Sequence, residues 1–338
     1  MWWQKLGSGI AKRMPYVVLI CVTTGIMFPQ ELAGIAQFVP VFFAFMTFQG
    51  SLSNTLHQTL EVFRHPADLL AILVISLVLM PIGANLLARL FFAGDIHLIT
   101  GLVLAYSVPV GIVSFMWVSM FQGNTPLALA VILISTVISP ISIPLSLSIF
   151  LGEAVHMDAL GMMHDMVFMI ALPALAGTLL NDFTHGWAHE KLSPAISPAA
   201  RILMMIIITS NATALSDAVR HLSGVHVMVA CFTVCYTGSG FLWGALVARL
   251  MQRPFSTLVT MCFDCGLRNI SSGAVIASSY FPNAVMFPVM CGTIFQQLLA
   301  SLAGSIMQKL TQEERAHERH YVARGLAALR ARKKAHKD

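Results

Sequence analysis

From Leu258 to Phe281 the chain is apolar, except that Asp264 and Arg268 stand inside it with Gly266 between them. A charge at the centre of a membrane-spanning helix costs about 2.5–3.5 kcal/mol on insertion scales, so such residues face a pathway, a relay or a ligand rather than lipid. The glycine predicts an irregular backbone. A second stretch, Ser107-Val108-Pro109-Val110-Gly111, is broken in the same way in the first half of the chain. Two interrupted helices in corresponding halves point to the binding site of a secondary transporter.

The 338 residues are 57% hydrophobic and 10% charged, whereas a soluble domain carries about 25% charged residues. The sequence therefore reads as a polytopic membrane protein. The net charge of +5 follows the topology signal below and implies no nucleic acid. With about 20 apolar residues needed per crossing, about ten segments qualify: 15–28, 32–52, 67–92, 97–121, 126–151, 158–180, 199–219, 225–251, 255–281 and 285–307.

Orientation follows lysine and arginine placement. Lys5, Lys12, Arg13, Arg64, Lys191, Arg201, Arg249, Arg253 and the basic tail fall on one side, against Arg89 and Arg220 on the other. Both termini are thus expected in the cytoplasm, in a multi-pass protein of the cell (inner or plasma) membrane. The expected fold is all-α: a cytoplasmic N-terminus (1–14), a first five-helix repeat (15–151), a second (152–308) and a basic cytoplasmic tail (309–338). Repeats with an odd number of spans are inverted, and their broken helices, the fourth and the ninth, cross at a midplane site. The lipid bilayer is the expected partner, with Arg330 to Lys337 placed to meet anionic headgroups.

Candidate site residues cluster at the breaks. In a continuous helix Asp264 and Arg268 would form an i,i+4 ion pair in the favourable order; alternatively they line a pathway as a fixed cation and an anion. Asn269, Ser271 and Ser272 surround the second break. Ser107 and Ser114 bracket the first, where the free amides of a half-helix starting near Gly111 would attract an anion. Gln296 and Gln297 are adjacent in the last span, with one facing the interior. The substrate-binding set is Ser107, Ser114, Arg268, Asn269, Ser271 and Gln297; the coupling set is Asp264, Arg268 and Ser76, which precedes Pro81. His164 and Asp165 read either as a polar kink or as a proton relay. The six cysteines read as packing residues, and Cys262 with Cys265 lacks the second pair that a metal site needs, so no metal is expected.

These breaks resemble the bile acid:sodium symporter family. The first match runs from Gly101-Leu102-Val103-Leu104 through Ser107-Val108-Pro109-Val110-Gly111-Ile112-Val113-Ser114 to Gly123-Asn124-Thr125-Pro126-Leu127-Ala128-Leu129, close to the family's GLxLxxxxPGGxxSN…GNxALS. The second is Asp264-Cys265-Gly266-Leu267-Arg268-Asn269, against E-x-G-x-Q-N; Arg64-His65-Pro66 and Leu79-Met80-Pro81 support it. The resemblance implies a ten-helix fold with a panel domain and a core domain. It also implies two sodium sites, at which this chain departs. Ser114 is kept and Asp264 replaces the glutamate, but Phe115, Ala128 and Ile132 stand for an asparagine, a serine and a threonine. At the second site Arg268 and Ser76 stand for two glutamines.

The expected function is a secondary transporter of small organic anions, not an enzyme, with no cofactor and without the family's sodium coupling, Arg268 standing in for a cation. One alternative keeps sodium or proton symport with Asp264 as the coupling acid. Another, of a different class, is an intramembrane thiol relay or enzyme using Cys262, Cys265 and His164.

Overall fold

A computed structural model of the chain describes residues 14–55, 62, 66–152, 158–293 and 295–310. The basic N-terminal stretch 1–13, Arg64, His65 and the tail from 311 lie outside the described residues. Among those residues the regular structure is helical, apart from one isolated antiparallel bridge.

In chain order the helices are α1 (Met14–Met27), α2 (Pro29–Ser51), α3 (Pro66–Phe91), α4 (Ile96–Ser107), α5 (Val113–Met120), α6 (Thr125–Leu151), α7 (Ala159–Phe183), α8 (Ala188–Thr213), a short α9 (Ser216–Arg220), α10 (Gly224–Leu250), α11 (Phe255–Gly266), α12 (Ile270–Tyr280) and α13 (Asn283–Leu310). Seven of them are long and apolar enough to cross a membrane: α2, α3, α6, α7, α8, α10 and α13. The segments expected to be broken are broken: α4 and α5 flank residues 108–112, and α11 and α12 flank residues 267–269.

Three long helices widen into a π turn just ahead of a proline: Ile75–Leu79 before Pro81, Val167–Ala171 before Pro173 and Ala188–Leu192 before Pro194. Proline has no N–H, and its ring clashes with the carbonyl four residues back; the wide turn makes room for both. This explains one difference from the sequence reading. The seventh span was expected at 199–219, after the prolines, but α8 starts at Ala188 and ends at Thr213.

Two packing groups emerge. Helices α1, α2, α7 and α8 pack on one another, while α3, α4, α5, α6, α10, α11, α12 and α13 form the other group. The groups meet where α6 packs on α7 and where α12 touches α2 and α8. Within the second group, Gly240 and Gly244 of α10 face α11, where a Cβ would lie 2.6 Å from the Cys265 carbonyl oxygen and 2.0 Å from that of Met261. This small-xxx-small spacing lets two backbones touch in lipid, where dispersion rather than the hydrophobic effect holds helices together. It fixes α11, and hence the break that follows it.

Candidate functional site

The two breaks hold each other. Val110 and Arg268 form the isolated antiparallel bridge. The Gly111 amide donates to the Leu267 carbonyl at 3.0 Å, and the Asn269 amide to the Pro109 carbonyl at 2.9 Å. Two further amides go to side chains: Val110 N–H to Ser135 Oγ at 3.2 Å and Arg268 N–H to Gln296 Oε1 at 3.2 Å. Irregular backbone at membrane depth survives only with such partners. Pro109 has no amide to satisfy, and Gly111 is required by contact, since a Cβ there would lie 2.8 Å from the Arg268 carbonyl oxygen.

The half-helix α5 is braced against α11. Phe263 stacks on Trp117 and Phe121 at centroid distances of 5.9 and 5.8 Å. The loop into α6 is tied to the same helix, for Asn124 donates its amide to Thr260 Oγ1 at 2.8 Å, while its side chain caps α6 by accepting from Leu127 N–H. The motif residues Gly123 and Asn124 thus build the scaffold of the break.

The side chains at the crossing are buried and poorly paired. Asp264 is fully buried, and neither of its carboxylate oxygens has a hydrogen-bond partner. Ser114 Oγ faces it and likewise makes no hydrogen bond of good geometry. Arg268 is 3% exposed; one guanidinium nitrogen donates to the Cys265 carbonyl at 3.4 Å, while Nε and Nη1 have no partner. Its ionisable neighbours are Cys265, Tyr236, Tyr106 and Asp264. No Asp264–Arg268 salt bridge forms among the described residues, because the helix ends at Gly266 and the i,i+4 geometry is lost. Ser76, in the π turn of α3 and beside Cys265, is another buried hydroxyl without a partner.

A small, partly open cavity lies where the two packing groups meet. Its polar lining comes from Thr47, Ser51, Ser53 and Asn54 at the C-terminal end of α2, Thr136 of α6, and Asn269; Ile112, Phe115 and Ile132 add apolar wall. Asn269 is the expected site residue that reaches it. Arg268 is not among the residues that line it. Ser107 donates back to the Val103 carbonyl at 2.8 Å, and Ser271 is half-buried in the first turn of α12. Gln297 accepts from Trp117 Nε1 at 3.3 Å, so its neighbour Gln296 is the glutamine at the crossing.

Sequence reasoning missed Ser135 and the α2 hydroxyls. Ser135 lies about one helical turn beyond Ile132, on the face that meets the break. Thr47 and Ser51, four residues apart on α2, carried a helical-spacing signal that could have been read. Cys262 and Cys265 are buried thiols, and among the described residues no group of three or more His, Cys, Asp or Glu is placed to hold a metal.

Comparison with known proteins now bears on this geometry. Residues 40–221 match the model described as the Sodium Bile acid symporter family. A protein of Bacillus subtilis named as uncharacterized protein YbaS is 37% identical over 298 residues, covering 88% of this chain and 97% of that one. The uncharacterized sodium-dependent transporter YocS of the same organism is 21% identical over 88% of this chain and 92% of its own. The probable sodium/metabolite cotransporter BASS1 of Arabidopsis thaliana, a chloroplast protein, is 25% identical over 91% of this chain and 76% of its own. The matched region holds α4 to α6 with the first break, and the 37% relative extends over the second, so the chain belongs to the Sodium Bile acid symporter family, a family of membrane transporters.

Proposed function

We propose that this chain is a ten-crossing secondary transporter of small organic anions, with both termini cytoplasmic, whose Arg268 replaces a coupling sodium with a tethered positive charge. The observation that carries the reading is the burial of that guanidinium at the crossing with two nitrogens unpaired. A fixed cation there raises the affinity of the neighbouring cavity for an anion, because low dielectric strengthens the attraction. Two helix N-termini point the same way: α5 begins beside Ile112 and α12 at Asn269, both in the cavity wall. The partial positive charge at such ends favours anions. The lining itself offers only neutral hydroxyls and amides.

Sodium coupling fits the residues less well. It asks for several oxygens, and Phe115, Ala128 and Ile132 supply none from their side chains. A second reading nevertheless draws on two observations. Asp264 and Ser114 are buried and unpartnered together, and relatives carry sodium in their names. In that reading a proton or a sodium ion sits on Asp264. A thermal-shift screen of carboxylates and sulfonates on purified protein, each in sodium and in potassium, separates the tethered cation from sodium coupling, and repeating it across pH separates it from proton coupling. Stabilisation by an anion in either salt supports the tethered cation; stabilisation only in sodium rejects it.

A further inference from the structure

The cavity lies toward one end of α6, lined by its first turns from Leu129 to Thr136. From Thr136 to Leu151 that helix rises about 22 Å. α7 begins near this far end, and Asp165 in its second turn accepts the hydroxyl of Tyr280, the last residue of α12, on Oδ2 at 2.5 Å. His164 Nδ1 lies 3.3 Å from the other carboxylate oxygen. Asp158, which caps α7, is the other acid near Tyr280.

This contact joins the two packing groups, because Asp165 sits on α7 and Tyr280 on α12. The Asp165 side chain is 63% exposed, so the bond is not enclosed by protein. Charge-assisted O–H···O⁻ bonds are short and strong yet reversible. The rod that ends in Tyr280 starts at Asn269, which touches the cavity. One rigid half-helix therefore links cavity and clasp.

We propose that the Asp165–Tyr280 hydrogen bond is a gate. It seals the cavity from the end where α7 starts, and it breaks when access passes to that end. The inference rests on reading the chain as an alternating-access transporter. α12 is also held through the break and against α4, so the bond is not its sole anchor.

The test uses full-length protein carrying Thr136→Cys, in right-side-out and inside-out vesicles. A membrane-impermeant maleimide is added, and labelling is measured above that of the same protein without the added cysteine. One face will label Thr136→Cys more slowly. Tyr280→Phe and Asp165→Asn are each expected to raise labelling from that face by about fivefold or more, the population shift that losing one charge-assisted bond gives. The double variant should match the stronger single one, as partners in one bond do. Bridging Asp165→Cys to Tyr280→Cys with a short bis-methanethiosulfonate should return labelling to the slow value. Unchanged labelling in both single variants overturns the gate, and so does full labelling in the bridged protein. If Tyr280→Phe does not assemble, Asp165→Asn and the bridge decide the matter. Labelling needs no substrate, so anion uptake with ungated labelling would sink the gate alone, whereas gated labelling without anion uptake would sink the anion reading alone.

Discussion

Gly111 lies against the backbone of Arg268, so close that a β-carbon would stand 2.8 Å from its carbonyl oxygen and 2.9 Å from its carbonyl carbon. Neither atom belongs to a flexible side chain, so nothing can swing aside. Gly111→Ala should therefore cost about 1–3 kcal/mol, as overpacking does in close-packed interiors. The check is the melting temperature of detergent-purified protein by fluorescence-detected size exclusion, and an unchanged value would show that the breaks do not meet as described.

The α10–α11 contact is closer still at Gly244, where a Cβ would lie 2.0 Å from the Met261 carbonyl oxygen. Gly244→Val should separate the two helices and lower the yield of folded protein. Gly238, whose added Cβ would meet only Leu299 Cδ2 at 4.0 Å, provides the control. Gly238→Ala should fold normally, and equal behaviour of the two variants would refute the packing argument.

Arg268→Gln removes the tethered charge and restores the residue of the family pattern. In potassium buffer its anion uptake should fall at least about tenfold, the loss of one strong charge-assisted interaction. Sodium should recover the activity at most in part, because Ser76 and the first site remain incomplete. Wild-type uptake that rises steeply and saturably with sodium would reject the tethered-cation reading, as would unchanged uptake in the variant.

Asp264→Asn tests the other buried group. Its two carboxylate oxygens are buried without a hydrogen bond of good geometry, so no bond in the fold depends on them. Replacement by the neutral isostere should leave the melting temperature equal or raise it while abolishing net uptake. A marked fall in melting temperature would mean that Asp264 serves as a structural anchor.

The positions of the breaks were legible because proline and glycine mark them whatever the tertiary context. Pro109, Gly111 and Gly266 each announce an ending that the structure contains. What surrounds the breaks was not legible in the same way. Choosing Gln297 over Gln296 turns on the rotation of α13, which an apolar helix with little amphipathic pattern does not declare. The spacing of Asp264 and Arg268 suggested a pair only on the assumption of continuous helix. Ser107 looked like a ligand, yet its hydroxyl takes the local carbonyl, the ordinary fate of serine in a spanning helix. The cavity draws Thr47 and Ser51 from a helix far away in sequence; their helical spacing marks a polar face on α2, but not that this face meets the break.

The bridge between Val110 and Arg268 has a consequence for biosynthesis. When the first half of the chain enters the bilayer, the Pro109 carbonyl and the Gly111 amide have no helical partner, and those that satisfy them belong to residues synthesised only near the end of translation. Until then the early segment must keep its open backbone in water or against the insertion machinery, for lipid offers nothing to bond it. A chain that stops before α11 leaves the Pro109 carbonyl and the Gly111 amide without the partners they have in the complete fold.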